Sequence, residues 1–283
     1  MATKTMGNSA LGIIAGGGEL PRSIAESARA AGRDVFVLAI VGTTDNWANE
    51  YPCEWLSLGE PGRAIKALHA HNVGELTLAG RVQRPKFSEI KLDAKGVLAA
   101  PRVFAAALKG DDALLRSLVD MFQREGFHIV GAADAAPDLI VKAGVLGRVR
   151  PSGENEADIA QALKIVRALG EFDVGQAAIV CEGLPLAVEA AEGTDAMISR
   201  INALPEHFRG SAGKPRGVLV KAPKPIQDRK TDLPVVGVET VRNVAKAFLA
   251  GIAVEAGGAL MLDRAGVIAE ADRLGIFLVG VPA

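Results

Sequence analysis

The chain has 283 residues, of which 49% are hydrophobic and 23% charged, with 32 Lys plus Arg against 33 Asp plus Glu and a formal net charge of −1. That apolar content excludes a disordered or fibrous chain, and the length predicts two domains. Balanced charge gives no overall field for nucleic acid or a membrane, and 4% aromatics are too few for a base-stacking platform, so any anion site has to be local. Cys53 and Cys181 make no Cys-x-x-Cys and no disulfide framework, which predicts a reducing compartment and no structural zinc.

The charge-free stretch Thr5–Gly18 is shorter than the ~20 apolar residues that span a bilayer, and it lacks signal-peptide features. Residues 1–10 read as a polar extension. Leu11–Ala15 is a short strand, followed by the turn Gly16-Gly17-Gly18. A helix is predicted over 20–31, with Pro21 in its first turn and Gly32 behind it. Val35–Val41 is apolar throughout, as in a buried parallel strand. Trp55–Leu58 is a weaker strand, Arg63–His71 a helix and Leu76–Ala79 a strand. This order predicts an α/β fold with an N-terminal Rossmann-like parallel-sheet domain over residues 11–134.

Arg81–Lys95 has no clear period. Helices follow over Val97–Leu108 and Asp112–Glu125, then a short strand over His128–Val130. The small, polar run Ala132–Pro137 marks the boundary to a C-terminal mixed α/β domain over 138–283. There the pattern predicts a helix over Glu154–Ala168 and strands Ala177–Val180 and Leu186–Ala190, joined as a hairpin through Glu182–Pro185. A helix capped by Thr194 comes next, then a strand over Gly217–Lys221 and a helix over Val241–Ala250. A strand over Ala259–Leu262, a helix over Ala265–Leu274 and a final strand over Ile276–Val281 complete the series.

A strand, a glycine turn and a helix start make an anion site, because free N–H groups and the positive end of the helix dipole meet there. The dinucleotide pattern G-x-G-x-x-G is only half met: Pro21 takes the third glycine position, and no acid ends the second strand. Arg81, beside Gly80, follows a strand carboxyl end, where ligands of α/β sheets collect; a solvated loop arginine fits it equally. Asp111-Asp112 suit a helix cap. His69, His71, His128 and His207 show no metal spacing, and the two cysteines suit core packing. The segment from Glu192 through Gly193, Thr194 and Asp195 to Arg200 is a second possible anion cradle. The densest polar cluster joins Lys221, Lys224, Arg229 and Lys230 with Asp228 and Asp232, stiffened by three prolines up to Pro234. A solvated loop is the plain explanation. A phosphate or metal–phosphate site is the other, with cations neutralising phosphate and carboxylates holding Mg²⁺ or water.

Five motifs occur in order: Ile13 through Gly16, Gly17, Gly18, Glu19 and Leu20 to Pro21; Leu78 through Gly80 and Arg81 to Pro85; Gly110 to Leu115; Glu192 to Ile198; and Lys224 through Gln227-Asp228 to Pro234. Together they resemble the LpxI-type UDP-2,3-diacylglucosamine pyrophosphatases of lipid A biosynthesis, over about Leu11 to Val281. Lys230 stands where the family pattern carries an arginine, keeping the charge without the bidentate fork. The resemblance implies a Gram-negative bacterial hydrolase, cytoplasmic and peripheral to the inner membrane. It implies Mg²⁺-dependent cleavage of UDP-2,3-diacylglucosamine to lipid X (2,3-diacylglucosamine 1-phosphate) and UMP, in a cleft between the two domains. Transient membrane contact and no nucleic acid are expected, with a homo-oligomer allowed but not required.

By the same resemblance, Asp228 is the essential carboxylate and Asp195 the next catalytic candidate, with Asp228 and Asp232 as metal ligands. Substrate contacts are assigned to Gly16, Gly17, Gly18, Glu19, Leu20, Gly80, Arg81, Glu192, Gly193, Thr194, Arg200, Lys221, Lys224 and Gln227. The competing expectations are a nucleotide-sugar oxidoreductase, suggested by the glycine turn, and a non-catalytic lipid-binding protein, which needs an apolar groove but not the charged loop.

Overall fold

The computed structural model describes residues 9–82, 90–108, 110–224 and 233–283, without the side chains of Asp111 and Asp112. The chain divides into two compact units, Met1–Ala136 and Pro137–Ala283.

The first unit runs β1 (Ala10–Ala15), α1 (Leu20–Ala30), β2 (Val35–Ile40), β3 (Cys53–Leu56), α2 (Pro61–Ala70) and β4 (Val73–Ala79). It continues with α3 (Ala94–Ala107), α4 (Asp111–Arg124), β5 (His128–Ile129) and the short α5 (Ala132–Ala135). Its five strands form one sheet in the order β3-β2-β1-β4-β5, with every pair parallel. β1 and β2 are buried almost throughout, as parallel strands covered on both faces must be. α1 buries Pro21, Ile24, Ala25 and Ala28 along one stripe. Burial of a side chain the size of Ile24 contributes about 1.5–3 kcal/mol. Another cluster packs Ile65 and Leu68 of α2 and Phe122 of α4 with Phe36, Leu38 and Leu76 of the sheet.

Backbone contact sets the carboxyl end of this sheet. Gly17 N donates to Arg81 O at 2.8 Å, Arg81 N to Gly17 O at 2.9 Å, and Gly16 N to Ala79 O at 2.8 Å. A Cβ on Gly16 would lie 2.7 Å from the Arg81 carbonyl oxygen. Gly80 has φ +90°, and its Cβ would lie 2.8 Å from the Gly16 carbonyl carbon. Two chain segments therefore pass closer than any side chain allows.

The second unit runs β6 (Gly144–Val145), α6 (Gly153–Gly170), β7 (Ala177–Cys181), β8 (Leu184–Val188), α7 (Gly193–Arg200), β9 (Val218–Lys221) and β10 (Val235–Val236). α8 (Val238–Lys246), β11 (Gly251–Glu255), β12 (Leu260–Met261), α9 (Arg264–Leu274) and β13 (Phe277–Val281) follow. Six strands make a mixed sheet in the order β6-β13-β11-β9-β7-β8, and β10 pairs with β12 apart from it. β9, β11 and β13 are parallel; β6, β7 and β8 pair antiparallel with their neighbours. α6 covers one face through Ile159, Ala162 and Val166. Met197 of α7, Val244 of α8 and Val267 of α9 pack in the cluster on the other face. The hairpin turn at Glu182-Gly183 has φ +50° and +79°, and buried Asp158 accepts from both turn amides, at 3.0 and 2.8 Å.

The fold class is as expected, with some local differences. β8 begins two residues earlier than the sequence pattern suggests, and β11 is a central strand where no strand is expected. Helix α7 is capped at Glu192, not Thr194, because the Thr194 hydroxyl turns back to Glu189. The helix cap sought at Asp111-Asp112 falls on Gly110.

Two outcomes are expected. Gly16→Ala and Gly80→Ala each lower unfolding free energy by about 1–3 kcal/mol in denaturant titrations, the usual cost of forcing atoms into a closed contact; stability equal to the parent protein rules the contact unimportant. On the second unit, Glu270 bridges Arg273 (2.7 Å) and Arg242 (2.8 Å), tying α9 to α8. The hydrogen bond from Arg273, then that from Arg242, brings its carboxyl down to about 2. The contribution is present above the usual carboxylate range and is lost as pH falls toward 2. Glu270→Gln is therefore less stable at pH 7, and its melting temperature falls less steeply than the parent's between pH 5 and 2. Parallel curves would remove the bridge from acid sensitivity.

Candidate functional site

In the first unit, Gly16, Gly17, Gly18, Glu19, Leu20, Gly80 and Arg81 are gathered by the backbone bridge between Gly17 and Arg81. Two of the three turn glycines spend their amides internally: Gly16 N on Ala79 O and Gly17 N on Arg81 O. Gly18, with φ +92° and no atom within 4 Å of a built Cβ, is the one that opens outward. Beyond it, α1 begins with Leu20 and then Pro21, which has no N–H to offer. Any anion at this helix start therefore meets the amides of Gly18, Glu19 and Leu20. Thr44 holds the neighbouring loop: its hydroxyl donates to Ala15 O and accepts from Ile40 N. A Cβ on Gly17 would come within 3.1 Å of Thr43 O, so a side chain at Gly17 perturbs packing as well as any ligand.

In the second unit, the carboxyl ends of β9 and β11 form one sheet edge. β7 and β8 turn back so that the start of β7 and the end of β8 reach the same edge: Ala177 pairs with Lys221, and Glu189 N donates to Ala177 O at 2.9 Å. Three charged residues are buried there: Lys221 (4% exposed), Glu189 (7%) and Glu255 (3%). Strand alternation sends Lys221 and Glu255 to opposite faces. Lys221 Nζ donates to Val235 O at 2.9 Å, just before α8. Glu255 turns to α6, where Arg167 reaches it at 3.2 Å. Glu189 turns to α7: its Oε1 accepts from Thr194 Oγ1 at 3.1 Å, while its Oε2 is buried with no partner among the described residues.

Around this edge lie the other candidates. Gly193 has φ +80° where the chain turns into α7. Asp195 Oδ1 accepts from Asn243 Nδ2 at 3.0 Å, linking α7 to α8, and Arg200 pairs with Glu192 at 3.0 Å and donates to Val188 O. Asp195 and Arg200 thus have separate partners. Lys224 Nζ meets Asp173 Oδ1 at 2.7 Å. Gln227, Asp228 and Asp232 lie outside the described residues, and so do Arg84 and Pro85 of the Arg81 motif. Among the described residues no three His, Cys, Asp or Glu side chains group to hold a metal.

The sequence pattern did not single out Glu189, Glu255 or Asn243. The first two carry a usable signal, a lone acid ending an apolar strand run (Leu184–Val188 and Gly251–Val254). Asn243 carries none, because its contact depends on how α7 and α8 pack. Cys181 is buried and its thiol is pushed up to about 11 by burial, as a core cysteine rather than a nucleophile would be.

Both units find relatives. Residues 10–139 match the LpxI N-terminal domain and residues 142–279 the LpxI C-terminal domain. Over 271 residues the chain is 49% identical to a Caulobacter vibrioides protein named UDP-2,3-diacylglucosamine pyrophosphatase LpxI, covering 96% of this chain and 97% of that one. The chain belongs to the LpxI family.

Proposed function

We propose that this chain is a hydrolase that cleaves the phosphoanhydride of UDP-2,3-diacylglucosamine into UMP and 2,3-diacylglucosamine 1-phosphate, for lipid A biosynthesis. The reading is carried by the near full-length identity to the Caulobacter vibrioides protein of that name. The chemistry of the second sheet edge supports it. A water oxygen attacks one phosphorus, the bond from that phosphorus to the bridging oxygen breaks, and the bridging oxygen stays with the other phosphate. Such a reaction needs fixed positive charge beside the pyrophosphate, an oriented water and a site closed to bulk solvent.

Lys221 suits the first need. Its ammonium is buried and donates to the Val235 carbonyl. The starts of α7 and α8 at the same edge add partial positive charge on the Lys221 side. Glu189 would repel phosphate and suits a hydroxyl or ammonium neighbour instead. Lys224, paired with Asp173 at 2.7 Å, would neutralise an outer phosphate oxygen on exchanging that partner for substrate. Gly18 to Leu20 offer amides for a further phosphate or nucleotide contact.

Asp228 is the carboxylate assigned to the reacting water or to Mg²⁺, with Asp232 beside it in sequence and Asp195 next in line. Mg²⁺ would neutralise the pyrophosphate oxygens. By the family resemblance Asp228 and Asp232 would hold it, as hard carboxylate oxygens suit a Mg²⁺ ion. The proposed enzyme works in the cytoplasm at the inner membrane of a Gram-negative bacterium. Among the described residues no helix is long and apolar enough to cross a membrane.

Asp228→Asn keeps shape and removes charge. UMP release should show kcat down by about 10²-fold or more, the range of a general-base or electrostatic group, with lipid affinity changed much less. Near-normal kcat in a folded protein would remove Asp228 from the mechanism and leave Asp195 next. Lys221→Met keeps an apolar stem of similar length. It should lower kcat/KM by about 10²-fold or more, as loss of a fixed charge on a transferring phosphate does. Unchanged kinetics there would move the phosphate away from β9. No UMP release by the parent protein would overturn the assignment as a whole.

A further inference from the structure

Helix α3 is amphipathic in reverse. The face that packs inward carries small side chains: Gly96 and Ala107 are buried, and Ala99, Ala100, Val103 and Ala106 are partly so. The outward face carries the large ones. Val97 is 58% exposed, Leu98 82%, Phe104 36% and Leu108 90%, with Ala94, Pro101 and Ala105 exposed between them. These positions recur every three or four residues and so form one stripe along the helix. Leu92, 40% exposed, extends it at the amino end. A surface helix normally turns its bulkiest apolar residues to the core, and a continuous exposed stripe of this kind marks an interaction surface.

The helix is also held firmly at its start. Asp93 caps it, accepting from Gly96 N at 2.7 Å and from Arg63 N at 3.1 Å, while Asp93 N donates to Gly59 O at 3.0 Å. Gly59, Gly62 and Gly96 let these segments touch: a Cβ on Gly59 would sit 2.0 Å from Lys91 O and one on Gly96 2.5 Å from Gly59 O. The stripe is thus presented on an anchored base.

We infer that this stripe seats the protein on an anionic phospholipid surface, with Val97, Leu98, Phe104 and Leu108 entering the boundary between headgroups and acyl chains. Three observations select a lipid surface over a second protein. The charges of the described segment 90–108 are Lys91, Lys95 and Arg102 against Asp93 alone, and both Asp93 oxygens are spent on amides. Lys95 and Arg102 are held by Glu125 (2.7 Å), which caps the end of α4, and by Asp120 of α4 (3.8 Å), through partly exposed pairs that anionic headgroups can replace. Long cationic side chains bordering an apolar helix face are the pattern of helices that lie in a membrane interface. The third observation is the proposed substrate, which carries two acyl chains and must be met at a bilayer by a chain with no spanning helix among its described residues. The inference rests on the proposed function for that last step alone.

The test is flotation of the full chain with vesicles of phosphatidylethanolamine and phosphatidylglycerol, and with vesicles of phosphatidylcholine alone. The protein should float with the anionic vesicles and much less with the neutral ones. Leu98→Gln combined with Leu108→Gln should lower the bound fraction about tenfold or more, with an unchanged melting temperature, since both side chains are exposed. Lys91→Gln should weaken anionic binding only. UMP release is measured on the same samples, from substrate in detergent micelles and in vesicles. The double variant should match the parent in micelles and fall behind in vesicles. Failure of the parent to float, or flotation of the double variant at the parent's level, overturns the inference. So does sedimentation showing that the parent is a dimer which the double variant splits, because the stripe then belongs to a second copy. A parent that floats but releases no UMP leaves the lipid surface standing and removes the proposed reaction instead.

Discussion

An ammonium group inside a protein persists only where its surroundings answer its charge, and the second unit is arranged around that requirement at Lys221. The residue ends a strand buried at every position and is itself only 4% exposed. The chain that leaves β9 returns at Val235 to place a carbonyl on the Nζ before α8 can begin. The reversed strands β7 and β8 bring a second buried charge, Glu189, to the same edge and face. The neighbouring parallel strand sends Glu255 through to the opposite face, where Arg167 meets it. Lys221 and Glu255 thus leave the same sheet edge on opposite faces.

The first unit solves a different problem. Its glycine turn looks, in sequence, like a phosphate cradle made of three equivalent residues. In the fold the three divide their tasks: Gly16 exists for Gly80, Gly17 carries the bridge to Arg81, and Gly18 alone turns outward. A dinucleotide turn needs a glycine where Pro21 stands, and it needs the amides that the bridge has already taken. Backbone packing thus explains the glycines that the oxidoreductase expectation relied upon.

Most of the architecture was legible because parallel strands must be buried on both faces and so appear as unbroken apolar runs. Val35–Ile40 is such a run. β11 is central yet escapes the sequence pattern, because Gly251–Glu255 is short and follows an equally apolar helix end with no turn signal between them. β6 and β10, with two residues each, have no period to detect, whereas the equally short β5 and β12 stand inside the runs expected as strands at His128–Val130 and Ala259–Leu262. Thr194 fits a cap on local grounds, but the buried Glu189 carboxylate competes for its hydroxyl. The motif residues of the site could be picked out in the sequence. Their partners, Asp173 for Lys224 and Asn243 for Asp195, lie about 50 positions away and depend on tertiary packing.

The strand order of the second sheet also governs when it can be completed. β6, the first strand of that unit in the chain, has β13 as its neighbour in the sheet, and β13 is the last. It sits between β6 and β11 rather than at an edge. During synthesis the first unit, closed by Ala136, has every strand of its sheet in hand while the second still waits for Phe277–Val281. Until those residues leave the ribosome, the flank of β11 stays open and β6 has no ladder to join. The second unit therefore depends on long-range closure and exposes unpaired strand edges for longer, the period in which a nascent chain most needs a chaperone.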